Sequence, residues 1–165
     1  MNNGEGASRS DGIVLLVASE QDHWCQARRL INAYASSLGL DLSFQNFEYE
    51  LDNLETEYAS PAGAFFLAMD DGRFVGCAGL RRFSQGTGEI KRLYLVPQAR
   101  GRGIGRMLAQ AVIGAGRDLG YTRLLLDTLP SMQEAQALYR SLGFVTADPY
   151  RYNPVAGTAF LELKL

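Results

Sequence analysis

Histidine is nearly missing from this 165-residue chain, in which His23 stands alone. That excludes multi-histidine metal sites and most serine- or cysteine-based triads, which need an imidazole beside the nucleophile. Cysteine is scarce too: Cys25 and Cys77 lie far apart, lack metal-ligand spacing, and read as small buried residues rather than as a disulfide. No metal is expected. No apolar run is long enough to span a bilayer, and the polar stretch from Met1 to Asp11 lacks the apolar core of a signal peptide. The expectation is a disordered tail over residues 1–11 and a cytoplasmic protein without membrane contact. Charge of one sign is missing over two long segments. Leu30 to Gly72 holds no Lys or Arg, and Ile90 to Arg117 holds no Asp or Glu. Any catalysis must therefore run on carboxylates, tyrosine, water and backbone groups.

What is present is ordinary in bulk and unusual in one place. A hydrophobic content of 47% with 21% charged residues suits one globular domain, expected over residues 12–165. The unusual stretch runs from Gly88 to Gly120. Glu89 to Val96 is rich in β-branched, aromatic and aliphatic residues and stops at Pro97, as a strand does. Ile104, Met107, Leu108, Ala111, Val112, Ala115 and Leu119 follow the spacing of one buried helical face. Between them, Arg100-Gly101-Arg102-Gly103-Ile104-Gly105-Arg106 places three alternate glycines where a helix leaves its first N–H groups unpaired. A P-loop would need Gly-Lys-Ser/Thr, and a dinucleotide fold would need G-x-G-x-x-G; neither is there. Lys91, Arg92, Arg100, Arg102, Arg106 and Arg117 give the segment a positive field, which with the helix dipole suits a pyrophosphate.

At these residues the chain resembles the GNAT family, the GCN5-related N-acetyltransferases that use acetyl-coenzyme A. The family signature Gln/Arg-x-x-Gly-x-Gly/Ala is matched by Arg100, Gly103 and Gly105. Downstream, Glu134 to Phe144 looks like the later family helix, whose tyrosine protonates the departing thiolate; that residue would be Tyr139. The resemblance covers about Ile13 to Leu165. It implies an α/β fold with a mixed, mostly antiparallel sheet, a central splayed parallel strand pair and flanking helices. It also implies acetyl-CoA as cosubstrate, with backbone contacts from Leu93, Tyr94 and Leu95 and a pyrophosphate held by Gly101, Arg102, Gly103, Ile104, Gly105 and Arg106. Where many members carry an asparagine that touches the cofactor, this chain has Met132, so that side-chain contact has no counterpart while the backbone cradle is undisturbed.

The remaining elements fit the same order. Gly12 to Ala18 reads as a strand, residues 22–38 as an amphipathic helix ending at Gly39, and Phe44 to Tyr58 as a second helix. Ala64 to Met69 and Phe74 to Phe83 form a hairpin about Asp70-Asp71-Gly72-Arg73. Thr122 to Asp127 is a buried parallel strand. Ser131 and Glu134 make a capping box for the next helix, with Ala135, Leu138 and Leu142 as its inner face and Tyr139 at the edge. Two last strands lie near Phe144 to Tyr152 and Thr158 to Leu165.

Acetyl transfer needs a neutral amine, and an alkylamine with a pKa of about 10.4 is deprotonated at neutral pH only at a penalty of ~4.6 kcal/mol. Glu89, which opens the central strand at the position of the catalytic glutamate of GNAT histone acetyltransferases, is the first choice of base. Asp127, at the base position of some other members, is the second, and water can relay the proton. The acidic residues Asp41, Glu48, Glu50, Asp52, Glu55, Glu57, Asp70 and Asp71 suggest a wall that attracts a cationic amine, against the plainer reading of a solvated face. The leading reading is an N-acetyltransferase for a small amine or amino-acid derivative. Acetylation of a protein N-terminus or lysine, and a non-catalytic acyl-CoA sensor, are the rivals; Tyr139, Glu89 and Asp127 favour an enzyme. Nucleic acid is not an expected partner, because the basic residues gather around one cradle in an acidic chain. A homodimer is common in the family, though no apolar stripe demands one.

Overall fold

The computed structural model describes residues 12–43 and 46–165. The expected tail over residues 1–11 and Phe44 of the expected second helix lie outside the described residues. Strands β1 (Ile13–Val17), β2 (Ala64–Asp70), β3 (Arg73–Ser84), β4 (Thr87–Leu95), β5 (Arg123–Thr128), β6 (Val145–Thr146) and β7 (Ala159–Lys164) form one sheet in the order β1-β2-β3-β4-β5-β7-β6. Among the described residues only β4 and β5 pair in parallel. The β2–β3 hairpin turns at Asp71 and Gly72, both with positive φ, the two-residue turn that the Asp-Gly sequence predicts. The expected mixed sheet with its central parallel pair is therefore present.

Helices cover both faces. On one lie α1 (Gln21–Leu38), α2 (Phe47–Asp52) and α3 (Leu54–Tyr58), packed through Leu30, Ile31, Leu51, Leu54 and Tyr58 onto Phe65, Leu67 and Cys77. On the other lie α4 (Ile104–Asp118) and α5 (Gln133–Ser141) over Ala78, Leu80, Ile90 and Leu124. α1 ends at Gly39 in the left-handed conformation, as its sequence requires. The lone His23 serves this helix: its Nδ1 accepts from the Ser19 and Glu20 amides at 3.3 Å.

Several sequence expectations need correction. The single helix over residues 44–58 is two short helices broken at Asn53, whose backbone at φ −128°, ψ 31° is not helical. In α4 the buried face is Ile104, Leu108, Ala109, Val112, Ile113 and Gly116, while Leu119 is exposed and Met107, Ala111 and Ala115 are only half-buried. Gly116 lies on this face because Leu124 packs where a side chain would be, 3.1 Å from an added Cβ. The cap of α5 is Met132, with no side-chain bond, so the Ser131 capping box does not form. The strand expected to reach Tyr152 stops at Thr146; Pro149 has no amide to donate to a ladder, and Tyr150 and Arg151 turn inward. Cys77 is buried but Cys25 is exposed, and both are free thiols.

Tyr150 and Arg151 turn toward a buried ionic network. Arg92 donates to Glu50 through Nε at 2.7 Å and through a terminal nitrogen at 3.2 Å. Arg81 reaches Glu50 at 3.3 Å, Glu57 at 3.1 Å and Glu89 at 3.1 Å, and Arg151 reaches Glu89 at 2.7 Å. Glu50, the middle of the supposed acidic wall, is 1% exposed and faces no solvent-borne amine. Burial alone would raise its pKa; the Arg92 guanidinium reverses this and holds the carboxyl below its ordinary 4.5. The stability it contributes is present above that value and lost as the pH falls through the lower folded one.

Removing one partner leaves an uncompensated buried charge. Glu50→Ala should lower unfolding free energy by about 3–5 kcal/mol, whereas Glu50→Leu combined with Arg92→Met should recover most of that loss. Urea unfolding of the three proteins decides, and a double variant no more stable than Glu50→Ala would refute the account.

Candidate active site

Strands β4 and β5 pair over three residues only, Thr87–Glu89 against Arg123–Leu125. Beyond them β4 runs on to Leu95 and β5 to Thr128 with no further pairing among the described residues. The parting has a local cause. Lys91 pairs with Gly79 and Tyr94 with Cys77, so Arg92 and Leu93 together oppose the single residue Ala78. This bulge puts Arg92 at φ 61°, a left-handed conformation costing a side-chain-bearing residue about 1–2 kcal/mol. The Glu50 ion pair holds its side chain, and the Cys77 Sγ donates to its carbonyl at 3.3 Å. β4 bends away from β5, and a wedge opens between them.

The polar side chains that line the wedge include Lys91 and Arg92 of β4, Asp127 and Thr128 of β5, Tyr34 of α1, Tyr139 of α5 and Asn153. Tyr139 is not at the edge of its helix. It is 5% exposed, at the centre of the inner face, with Ala135, Leu138 and Leu142 half-buried around it and the Phe144 ring 5.4 Å away. The large ring takes the deepest position, and its hydroxyl end reaches the wedge. Burial first, then Tyr34 and Asp127, push its pKa upward. Tyr34 is raised to about 12, by burial first, with Arg92 opposing and Asp127 adding. Both phenols hold their protons throughout the physiological range. Asp127 is half-buried and accepts from Asn153 Nδ2 at 3.3 Å.

Glu89 sits at the parting point but does not line the wedge. It is 0% exposed and accepts from Arg81, Arg151 and the Tyr150 hydroxyl, the last at 2.8 Å. Lys91 and Arg92 are likewise absent from the cationic field around the glycine loop, since both are buried on β4 and Arg92 is committed to Glu50.

The glycine loop forms a separate feature at the start of α4. Gly101 and Gly103 have φ of 79° and 80°, and a Cβ at either would meet nothing within 4 Å. Left-handed backbone makes glycine fit there, and the space above stays open. Gly105 differs, because its added Cβ would make ordinary 3.6 Å contacts with Leu95 and Leu138. Gly103 caps α4 without any side-chain bond, which leaves the leading amides to an external acceptor. Arg100 donates to the Leu95 carbonyl at 3.2 and 3.1 Å and ties the loop to the end of β4. Arg102 pairs with Asp70, and Arg106 donates to Ser141 Oγ at 2.6 Å. Ile104 is fully buried and anchors the helix. Leu93 and Leu95 are half-buried on β4, while Tyr94 is buried with its ring 5.7 Å from that of Tyr34. The arrangement fits a ligand with a pyrophosphate at the loop and an arm running along unpaired β4 into the wedge.

Sequence reasoning missed Tyr34 and Lys91 as site residues. Tyr34 follows the apolar spacing of α1 and carries no separate signal. Lys91 did leave one: in Glu89-Ile90-Lys91-Arg92-Leu93 the polar–apolar alternation breaks at adjacent charged residues, the mark of a bulge.

The model of the acetyltransferase (GNAT) family matches residues 26–144. An uncharacterized N-acetyltransferase of Schizosaccharomyces pombe is 36% identical over 140 residues, which cover 84% of this chain and 86% of that protein. The crystal structure of an acetyltransferase from Streptococcus agalactiae shares the fold with a TM-score of 0.76 and 22% identity, over 94% of this chain and all of that one. The PaiA N-acetyltransferase from Thermoplasma acidophilum, solved in complex with coenzyme A, shares it with a TM-score of 0.67 and 14% identity, over 92% of this chain and 99% of its own.

The raised phenols lead to an alkaline test. Their contribution to stability is complete below their ordinary pKa of 10 and is lost as pH rises toward the folded values. Between pH 10 and the onset of alkaline unfolding, Tyr139→Phe should leave the ultraviolet tyrosinate signal of the folded protein unchanged. Loss of a titrating tyrosine in that range would show that Tyr139 is solvated.

Proposed function

The chain belongs to the acetyltransferase (GNAT) family, and on that premise we propose that it transfers acetyl directly to the primary amine of a small molecule or amino-acid derivative, with Asp127 accepting a proton and Tyr139 donating one. It is an acetyl-CoA-dependent acyltransferase. The observation that carries the proposal is the meeting of Asp127 and Tyr139 in the wedge where β4 leaves β5.

Acetyl-CoA supplies an acyl group already activated as a thioester. Gly101, Arg102, Gly103, Ile104, Gly105 and Arg106 would hold its pyrophosphate through backbone amides, with Arg100 fixing the loop. Leu93, Tyr94 and Leu95 would hold its arm through the unpaired edge of β4. Asp127 takes the amine proton at a carboxylate oxygen, directly or through one water, and Asn153 fixes that carboxylate. Tyr139 keeps a proton on Oη for the leaving sulfur, a role suited to a phenol whose burial prevents ionisation. Glu89 is the weaker candidate: it does not line the wedge, and its carboxylate is already engaged by Arg81, Arg151 and the Tyr150 hydroxyl. Contact between amine and thioester in one cleft can supply about 7–11 kcal/mol, more than either proton transfer.

Calorimetric titration with acetyl-CoA, followed by thiol release against a panel of amines, tests the reading. Tyr139→Phe and Asp127→Asn should each lower kcat by about 10²-fold or more, with acetyl-CoA affinity unchanged. Glu89→Gln should appear first as lost stability. Acetyl-CoA binding with no thiol release toward any small amine would overturn the acceptor class, and wild-type turnover in both wedge variants would overturn their roles.

A further inference from the structure

Two hydroxyl groups of the wedge are matched to an acceptor too weak for them. Tyr34 Oη of α1 donates to Met132 Sδ at 3.9 Å, and Thr128 Oγ1 at the end of β5 donates to the same sulfur at 3.7 Å. Both contacts are long, and a thioether sulfur is a weak acceptor. All three side chains line the cleft, with Thr128 buried and Tyr34 half-buried against the Tyr94 ring. Donors from two separate elements thus converge on one point of the wall. Burial, opposed by Arg92 and helped by Asp127, raises the Tyr34 phenol to about 12, so it remains a donor. A donor in such a place gains most from an oxygen that carries negative charge. The unbranched Met132 side chain can turn aside for one.

Acetyl transfer produces that oxygen. As the amine nitrogen bonds to the acyl carbon, the carbonyl π pair moves onto oxygen. It returns when the carbon–sulfur bond breaks, the sulfur taking the Tyr139 proton while Asp127 holds the proton that the amine gave up. We propose that Tyr34, with Thr128 as second donor, hydrogen-bonds the acyl oxygen and stabilises the charge that gathers there, which makes Tyr34 a catalytic residue. The assignment rests on the wedge being the place of transfer. The competing use of the two hydroxyls is structural, to hold the Met132 side chain at the cap of α5.

Infrared difference spectroscopy of bound acetyl-CoA, carbon-13 labelled at the thioester carbonyl, reads the hydrogen bond without turnover. The carbonyl band should move to higher wavenumber in Tyr34→Phe than in the wild type, and by less in Thr128→Val; both substitutions keep the shape of the side chain. Met132→Leu removes the sulfur but leaves the hydroxyls, and its band should stay at the wild-type position or below it. Where an acceptor is turned over, Tyr34→Phe should lower kcat about 10²-fold, with the acceptor KM and the acetyl-CoA affinity unchanged. A band that does not move in Tyr34→Phe overturns the proposal. So does the same upward movement in Met132→Leu and Tyr34→Phe, which the structural use predicts. Failure of the wild type to bind acetyl-CoA would overturn the cofactor reading and this proposal together. The expected band movements in a protein that releases no thiol toward any amine would uphold the Tyr34 contact and overturn the acceptor reading of the wedge.

Discussion

A 2.7 Å ion pair between Arg92 and Glu50 holds the central strand in a shape that a strand does not adopt by itself. Arg92 carries two penalties, a left-handed backbone and a buried guanidinium. The carboxylate that offsets the second comes from α2, 42 residues earlier in the chain. Helix and bulge thus depend on each other. The bulge parts β4 from β5, and the parting exposes the strand edge along which an extended ligand can bind. It also buries Lys91 and Arg92 side by side on β4, with Arg92 held by Glu50 of α2.

The distribution of charge along the chain suggests two opposed surfaces, an acidic wall and a basic cradle. The fold takes part of each inward and leaves Asp41, Glu48, Asp52 and Glu55 exposed. Glu50, Glu57 and Glu89 meet Arg81, Arg92 and Arg151 inside the protein, and Asp70 meets Arg102 at the loop. Each signature arginine tested for a role at the glycine loop has a protein partner of its own: Arg100 holds a carbonyl, Arg102 a carboxylate and Arg106 a hydroxyl. An anion at the loop would meet chiefly backbone amides at an uncapped helix start, with the arginines keeping the loop in place. This is why the glycines carry more information than the arginines between them.

Local rules were legible wherever one residue type decides the backbone. Asp71-Gly72 announced its hairpin, Gly39 its helix end, and Gly101 and Gly103 the loop. The succession of strands and helices and the buried parallel strand were readable from the apolar runs, and the splayed pair from the family resemblance. What escaped the sequence depends on distant packing. Asn53 breaks a helix whose apolar spacing continues across it. Ser131 is a good cap that the chain does not use, because the helix begins two residues later. Tyr139 was placed at an edge by counting smaller apolar neighbours, yet the largest side chain took the deepest position. Glu89 has the family position of a base, and nothing in its own segment announces the two arginines, from β3 and from the loop after β6, that converge on it.

One physical effect, desolvation, unites the groups of the wedge. It drives each toward its neutral form: the phenols of Tyr34 and Tyr139 upward, the ammonium of Lys91 downward. An acceptor amine that enters the same space meets the same pressure, and Lys91 indicates its size. An alkylammonium brought from 10.5 to about 8 loses about 3 kcal/mol of its hold on the proton. That loosening comes from the cost of desolvating the ammonium, so it eases proton transfer inside the wedge without removing the ~4.6 kcal/mol that separates a free alkylammonium from its amine at neutral pH. In the proposed mechanism Asp127, directly or through water, receives that proton. The chemistry therefore does not need the histidine that the chain lacks. A carboxylate and a phenol brought together in one desolvated cleft stand where an imidazole would otherwise be needed.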